Sequence, residues 1–164
     1  STPSGQRIAV IAWNDLAAPP RAHLAEAITL GRAQSDLLVC FVHWGEENTA
    51  EVTDRERELA RWLIDAGVDL VAGAHPHCTQ PLEFYRGRPI LYSLGNLVFD
   101  GAPTVAAWNR GQLAQITLTG KRGAAVRLLP IQLDVRGFPY EPSARPTAGA
   151  VRSRQRVMGF SKNR

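Results

Sequence analysis

Residues 36–73 restrict the fold more than any other part of this chain. Two short apolar runs, "DLLVCFVH" (36–43) and "VDLVAG" (68–73), flank one amphipathic segment. The first run is β-branched and apolar on both faces, the pattern of a strand in a parallel sheet covered by helices on both sides. Between the runs, "TDRERELARWLIDAG" (53–67) begins with a capping-box pattern of Thr53 and Glu56. Its buried stripe is Leu59, Leu63 and Ile64, and Gly67 is a natural stop. The segment therefore reads as one βαβ unit.

Flanking sequence extends that unit on both sides. "RIAVIAW" (7–13) is expected to be a buried strand ended by Asn14 and Asp15, followed by a helix over 20–33 carrying Leu24, Ala27, Ile28 and Gly31. After residue 73 the pattern turns antiparallel. "PLEFY" and "PILYS" flank a tight "RGR", and "QLAQITLTG" and "AAVRLLPIQL" flank "GKRG", giving two hairpins. Residues 136–147, rich in Pro and Gly, read as a connector, and a short helix is expected over 148–158 before a frayed end. The fold class is thus α/β, with a principal domain over 1–147 and a basic helix or tail over 148–164.

Composition narrows the function classes. At 164 residues and 45% apolar content the chain has enough material for one core. No apolar run approaches the roughly 20 residues needed to span a bilayer, so the chain as given is expected to be soluble. The polar lead-in "STPSGQ", without methionine, suggests that an upstream region has been removed. Cys40 and Cys78 are too few for a disulfide scaffold, and Cys40 is expected to be a buried free thiol. Residues 143–164 hold six cations and no acid; subtracting them from the formal +4 leaves the body at −2. Nucleic acid is accordingly not an expected partner.

Four histidines occur in the chain, and three of them fall at the ends of the two βαβ strands. His43 closes the first, and His75 and His77 follow the second in "AGAHPH". Loops leaving the carboxyl rim of a parallel sheet are where ligands bind. Pro76 favours an extended His75, which would turn His75 and His77 the same way, toward a ring arriving from His43. Three imidazoles with an open position suit zinc, manganese or iron in a hydrolytic site. Each histidine alone also reads as an ordinary hydrogen-bonded rim residue. Cys78 falls at the wrong alternation for a ligand and is expected to fill space, while Asp15 is either a ligand or a cap.

At these residues the chain resembles the CapA family, the bacterial poly-gamma-glutamate capsule biosynthesis proteins built on a calcineurin-like metallophosphatase scaffold. The resemblance rests on "VHWGEEN" (42–48) and on "LIDAGVDLVAGAHPHCTQPLEFYRGRPILYSLGNLVFD" (63–100). It implies an α/β sandwich, here its C-terminal half, with His43, His75 and His77 as metal ligands and His75 also as the candidate catalytic residue. Trp44, Glu47 and Asn96 are the implied substrate contacts, although Trp44 reads equally as core and Asn96 as a turn residue; Ser93 belongs to the same block as Asn96. Asn48 stands where the family usually has an aromatic. The family's upstream Gly-Asp and Asn-Asn-His motifs do not occur here, so either a missing N-terminal half or a second chain completes the site, or the fold is a reduced one with a weak or vacant metal site.

The implied activity is metal-dependent hydrolysis of a phosphoester, peptide or polymer. Metal-assisted proton transfer, as in peptide epimerisation, and a non-catalytic polymer-binding or assembly role are the alternatives. Family members are often found at the bacterial cell envelope, and any membrane association here would come from segments outside this sequence.

Overall fold

Strand β1 (Ile8–Asn14), helix α1 (Arg21–Gln34), strand β2 (Leu37–His43), helix α2 (Asp54–Asp65) and strand β3 (Leu70–Ala74) follow one another as two parallel crossovers. The computed structural model describes residues 5–99, 106–118, 124–142 and 150–152. Helix α2 starts where the sequence places it: the Thr53 side chain accepts from the Glu56 N–H, and the Glu56 carboxylate accepts from the Thr53 N–H at 2.7 Å.

Both helices lie on the same face of the sheet. Leu24 and Ile28 of α1 and Leu59, Leu63 and Ile64 of α2 pack with Leu38, Cys40 and Val42, which alternate along one side of β2. Successive crossovers of one hand, adding strands in one direction, put their helices together. The expectation of helices on both faces is therefore corrected. The opposite face is covered in part by a second sheet of β6 (Arg110–Leu118), β7 (Ala124–Leu133), β8 (Pro139–Tyr140) and β9 (Ala150–Arg152). Val126 of β7 packs there on Val39, Leu70 and Leu91.

The first sheet has the order β1-β2-β3-β5-β4, with β4 spanning Leu82–Tyr85 and β5 Arg88–Leu91. The hairpin β4–β5 is antiparallel as expected, yet β5 pairs with β3 in parallel, so the parallel sheet continues past the point where the pattern changes. Strand β1 is not buried. It is the outermost strand, and only Ala9, Ile11 and Trp13 reach the helix-side core, leaving Ile8 48% and Val10 60% exposed.

Two further expectations change beyond residue 133. Within the expected connector, Pro139 and Tyr140 pair with Leu133 and Gln132 as strand β8. In place of the helix over 148–158, Ala150–Arg152 pair with Ala125–Arg127. The free edge of the long β7 offers unpaired backbone groups that an extended segment satisfies and a helix does not. The "GKRG" turn and residues 143–149 and 153–164, including most of the basic tail, lie outside the described residues. Among the described residues no helix is long and apolar enough to cross a membrane.

Asp69 fastens the end of this sheet remote from the histidines. It is 4% exposed, accepts from the Leu38 N–H at 2.9 Å, and pairs with Arg32 and Arg88 at 3.0 and 3.1 Å. Both cysteines are free and buried, as expected of Cys40 and Cys78. Burial pushes the Cys40 thiol up to about 12 and raises Cys78, the latter with help from the Glu56 carboxylate. Since the thiolate is the reactive form, Ellman's reagent at pH 8 is expected to leave both thiols unmodified in the native protein and to titrate both after denaturation. Rapid labelling of either in the folded state would contradict this placement.

Candidate metal centre

Parallel register brings the strand ends together: His43 lies opposite Asn14 on one side and Ala74 on the other. Ala74 ends β3, so His75 leaves the sheet beside His43, and the Trp44 N–H donates to the Ala74 carbonyl at 3.1 Å. The imidazole centroids of His43 and His75 are 4.6 Å apart, and those of His75 and His77 are 6.2 Å apart. Three of the four histidines thus form one row at the carboxyl rim, while His23 lies exposed on α1.

The route to that row differs from the extended segment expected of Pro76. His75 has φ 108° and His77 φ 58°, both on the left-handed side that residues with a Cβ rarely occupy. The loop is held in this shape by the Asn48 N–H, which donates to the Pro76 carbonyl at 2.9 Å. Strained non-glycine backbone of this kind costs about 1–3 kcal/mol per residue and persists where the surroundings over-determine it. Two such residues frame one proline at the candidate site.

His77 is fixed by its neighbours. Its Nδ1 lies 2.9 Å from Asn96 Oδ1, and the Asn96 amide Nδ2 donates to the Trp108 carbonyl at 3.0 Å. With the amide nitrogen spent on a carbonyl, Oδ1 must accept, so Nδ1 of His77 carries a proton, and in the neutral ring Nε2 is the nitrogen with the lone pair. Outer-shell acceptors of this sort fix the tautomer of metal-ligating histidines. The His77 ring also meets Trp108 at 4.9 Å and the edge geometry of Phe99 at 5.3 Å between centroids. Burial, and then the neighbouring His75 and His77 rings, hold His43 below the usual histidine range, which favours the neutral, ligating form.

These features suit the donors to a borderline divalent ion: imidazole nitrogens, with the proton of one ring placed by a hydrogen bond. Among the described residues, however, no group of three or more His, Cys, Asp or Glu side chains is placed so that it could hold a metal ion.

The other expected site residues separate clearly. Trp44 is fully buried, its Nε1–H donates to the Tyr92 carbonyl at 2.9 Å, and it packs in the helix-side core, the second of its two expected readings. Asn96, 8% exposed, orients His77 instead of lining an open pocket. Glu47 is exposed at the loop surface, and no described contact joins its carboxylate to the imidazoles. Asp15 accepts from Arg55 Nε at 2.8 Å, while Asn14 provides the cap by accepting from the Leu16 N–H. The buried Ser93 serves its turn, accepting from the Gly95 N–H at 3.3 Å.

Gly45 explains the third residue of "HWG". Its φ is +77°, and a Cβ there would lie 2.4 Å from Glu56 Oε1, which the capping box holds in place. Gly45→Ala is expected to cost roughly 2 kcal/mol, read as a lower denaturant midpoint at unchanged slope; a variant as stable as the parent would contradict the packing of that loop.

A parallel α/β sheet with a packed antiparallel layer and a row of imidazoles at its carboxyl rim fits a fragment of a metallophosphatase-type fold. The chain belongs to the bacterial capsule synthesis protein family PGA_cap, whose family model matches residues 4–101. It is 47% identical over 73 residues to the PGA biosynthesis protein CapA of Bacillus subtilis, covering 44% of this chain and 19% of that protein. It is 33% identical over 123 residues to the capsule biosynthesis protein CapA of Bacillus anthracis, covering 73% of this chain and 27% of that protein. The matched stretch therefore spans only a minor part of either relative.

Proposed function

We propose that this chain carries part of a metal-dependent, hydrolase-type centre acting in capsule or poly-gamma-glutamate metabolism. His43, His75 and His77 would contribute to holding a zinc, manganese or iron ion once further ligands gather them round it, and His75, the middle ring, is the residue on which activity depends most. A bound divalent ion would acidify water and neutralise charge developing on a phosphoryl or acyl oxygen. Asn96 directs Nε2 of the neutral His77 ring toward ligation, and the lowered pKa of His43 favours its neutral form. The row of imidazole rings at one rim is the observation that carries this reading.

The remaining ligands would come from further polypeptide, either another part of a longer protein or a second chain. A cleft lined by Ala12, Asn14, Phe41, Ala72 and Ala74 leaves room beside His43, with Phe41 53% exposed. A peptide, polymer or phosphoester is the substrate class that this reading implies.

Metal analysis of the purified protein, with thermal unfolding at rising metal concentration, tests the proposal. Co-purifying zinc, manganese or iron is expected, with stabilisation of about 2.7 kcal/mol at a hundredfold excess over Kd. Folded, metal-free protein with unchanged unfolding at every metal concentration would leave a non-catalytic, polymer-binding role as the reading.

A further inference from the structure

Trp108 lies beyond the stretch matched by the family model, which ends at residue 101, yet it meets the candidate centre in three ways. Its ring stacks obliquely on His77, its carbonyl accepts from Asn96, and its indole Nε1–H donates to Asn48 Oδ1. Asn48 has φ 65°, a left-handed conformation that asparagine tolerates better than most residues, and its N–H reaches the Pro76 carbonyl. The contacts close on themselves. They run from Pro76 to Asn48, through the Trp108 indole and carbonyl to Asn96, on to His77, and back along the chain to Pro76.

We propose that Trp108, latched by Asn48, is the positioning residue that fixes the His77 ring. Asn96 alone constrains one atom, Nδ1, and leaves the plane of the imidazole free to pivot about that bond. Trp108 supplies a face 4.9 Å away and Phe99 an edge at 5.3 Å, which together set the plane. Phe99 in turn packs against Trp108 at 4.9 Å, so both aromatic contacts depend on where the indole sits. Its ring could swing about its own side-chain torsions were the N–H not held, and Asn48 provides that hold from the same loop that braces Pro76. The inference rests on assigning His77 to the proposed centre, but its primary readout needs no metal.

The test uses the whole chain with isotope-labelled histidine, at one fixed pH and without metal. Nitrogen and carbon shifts report the tautomer and mobility of His77. The parent is expected to show one Nδ1–H tautomer with sharp resonances. Trp108→Phe keeps an aromatic face and removes the donor; Asn48→Gly keeps the left-handed backbone and removes the acceptor. Each is expected to broaden His77 and populate the second tautomer, and the double variant to do no more than either single. Asn48→Asp, whose carboxylate can accept the indole N–H, is expected to restore the parent spectrum. A merely structural role would lower thermal stability in the variants with His77 unchanged, and that result would overturn the proposal, as would additive effects in the double variant.

A zinc titration against a chromophoric chelator separates the two readings. If the parent binds zinc, Trp108→Phe and Asn48→Gly are expected to weaken it about tenfold, the lower end of outer-shell losses. If the parent binds none, the metal reading fails while the spectroscopic result still decides the positioning role.

Discussion

Gly73→Ala is expected to be strongly destabilising. A Cβ at residue 73 would sit 2.0 Å from the Tyr92 carbonyl oxygen and 2.3 Å from Trp44 Nε1, the two atoms that hydrogen-bond each other at 2.9 Å. Neither can yield easily. Tyr92 is 1% exposed and follows β5, and Trp44 is fully buried in the helix-side core. Forcing buried atoms apart in a filled core costs roughly 3 kcal/mol or more, a large share of the 5–15 kcal/mol that typically holds a domain together. Trp44 also follows His43 directly, so its displacement would move the first ring of the row. Equilibrium unfolding of Gly73→Ala is expected to show that loss, together with a changed His43 resonance. Parent-like stability would mean that Trp44 does not pack beneath residue 73.

The second large effect concerns His75, and it runs in opposite directions for stability and binding. At φ 108° a histidine is strained, whereas glycine takes this conformation without a steric cost. His75→Gly is therefore expected to leave the metal-free protein as stable as the parent, or more stable by up to ~1 kcal/mol. Under the proposed function the same change removes the middle ligand, and zinc affinity is expected to fall by more than the roughly 100-fold that loss of an outer-shell partner can cost. Strain retained only for binding gives this pairing of outcomes. Unfolding curves and chelator competition on the same samples check it. A destabilised His75→Gly with unchanged zinc affinity would show that residue 75 serves the loop and not a metal.

The parts of the fold legible in the sequence are those with dense local signals. The capping box at Thr53 and Glu56, the Leu59–Leu63–Ile64 stripe and the apolar runs on either side fix the βαβ unit, because each rests on contacts between near neighbours. Strand β1 is present where expected, but its exposure is not encoded locally. "IAVIAW" reads the same at the centre or the edge of a sheet, and only the strand order settles it. The segment at Ala150–Arg152 is similar: the vacant edge of β7, remote in sequence, decides for strand.

At the site, residue identity is more legible than residue role. The spacing of His43, His75 and His77 about parallel strand ends predicts their proximity, because parallel register aligns strand ends wherever the loops lead. The path between them is not legible, since the rule for residues preceding proline favours extension while the Asn48 to Pro76 bond and surrounding packing impose left-handed turns. Trp44 takes the core role that is one of its two readings, whereas Asn96 hydrogen-bonds a ring, a role that its motif does not announce. An indole beside a histidine gives no sign of which face it takes, and a buried amide can line a pocket or orient a ring. Trp108 and Phe99 escape a sequence reading altogether, as nothing in "AAWNR" or "LVFD" points to an imidazole some twenty or thirty residues earlier.

If His43, His75 and His77 act as one metal-binding group, they must respond to a metal together. A zinc titration of histidine-labelled protein at neutral pH, with each ring assigned by substitution, reads this directly. The resonances of residues 43, 75 and 77 are expected to shift at the same metal-to-protein ratio while His23 stays unmoved. Unshifted rim histidines, or rings that respond separately and no more strongly than His23, would contradict it.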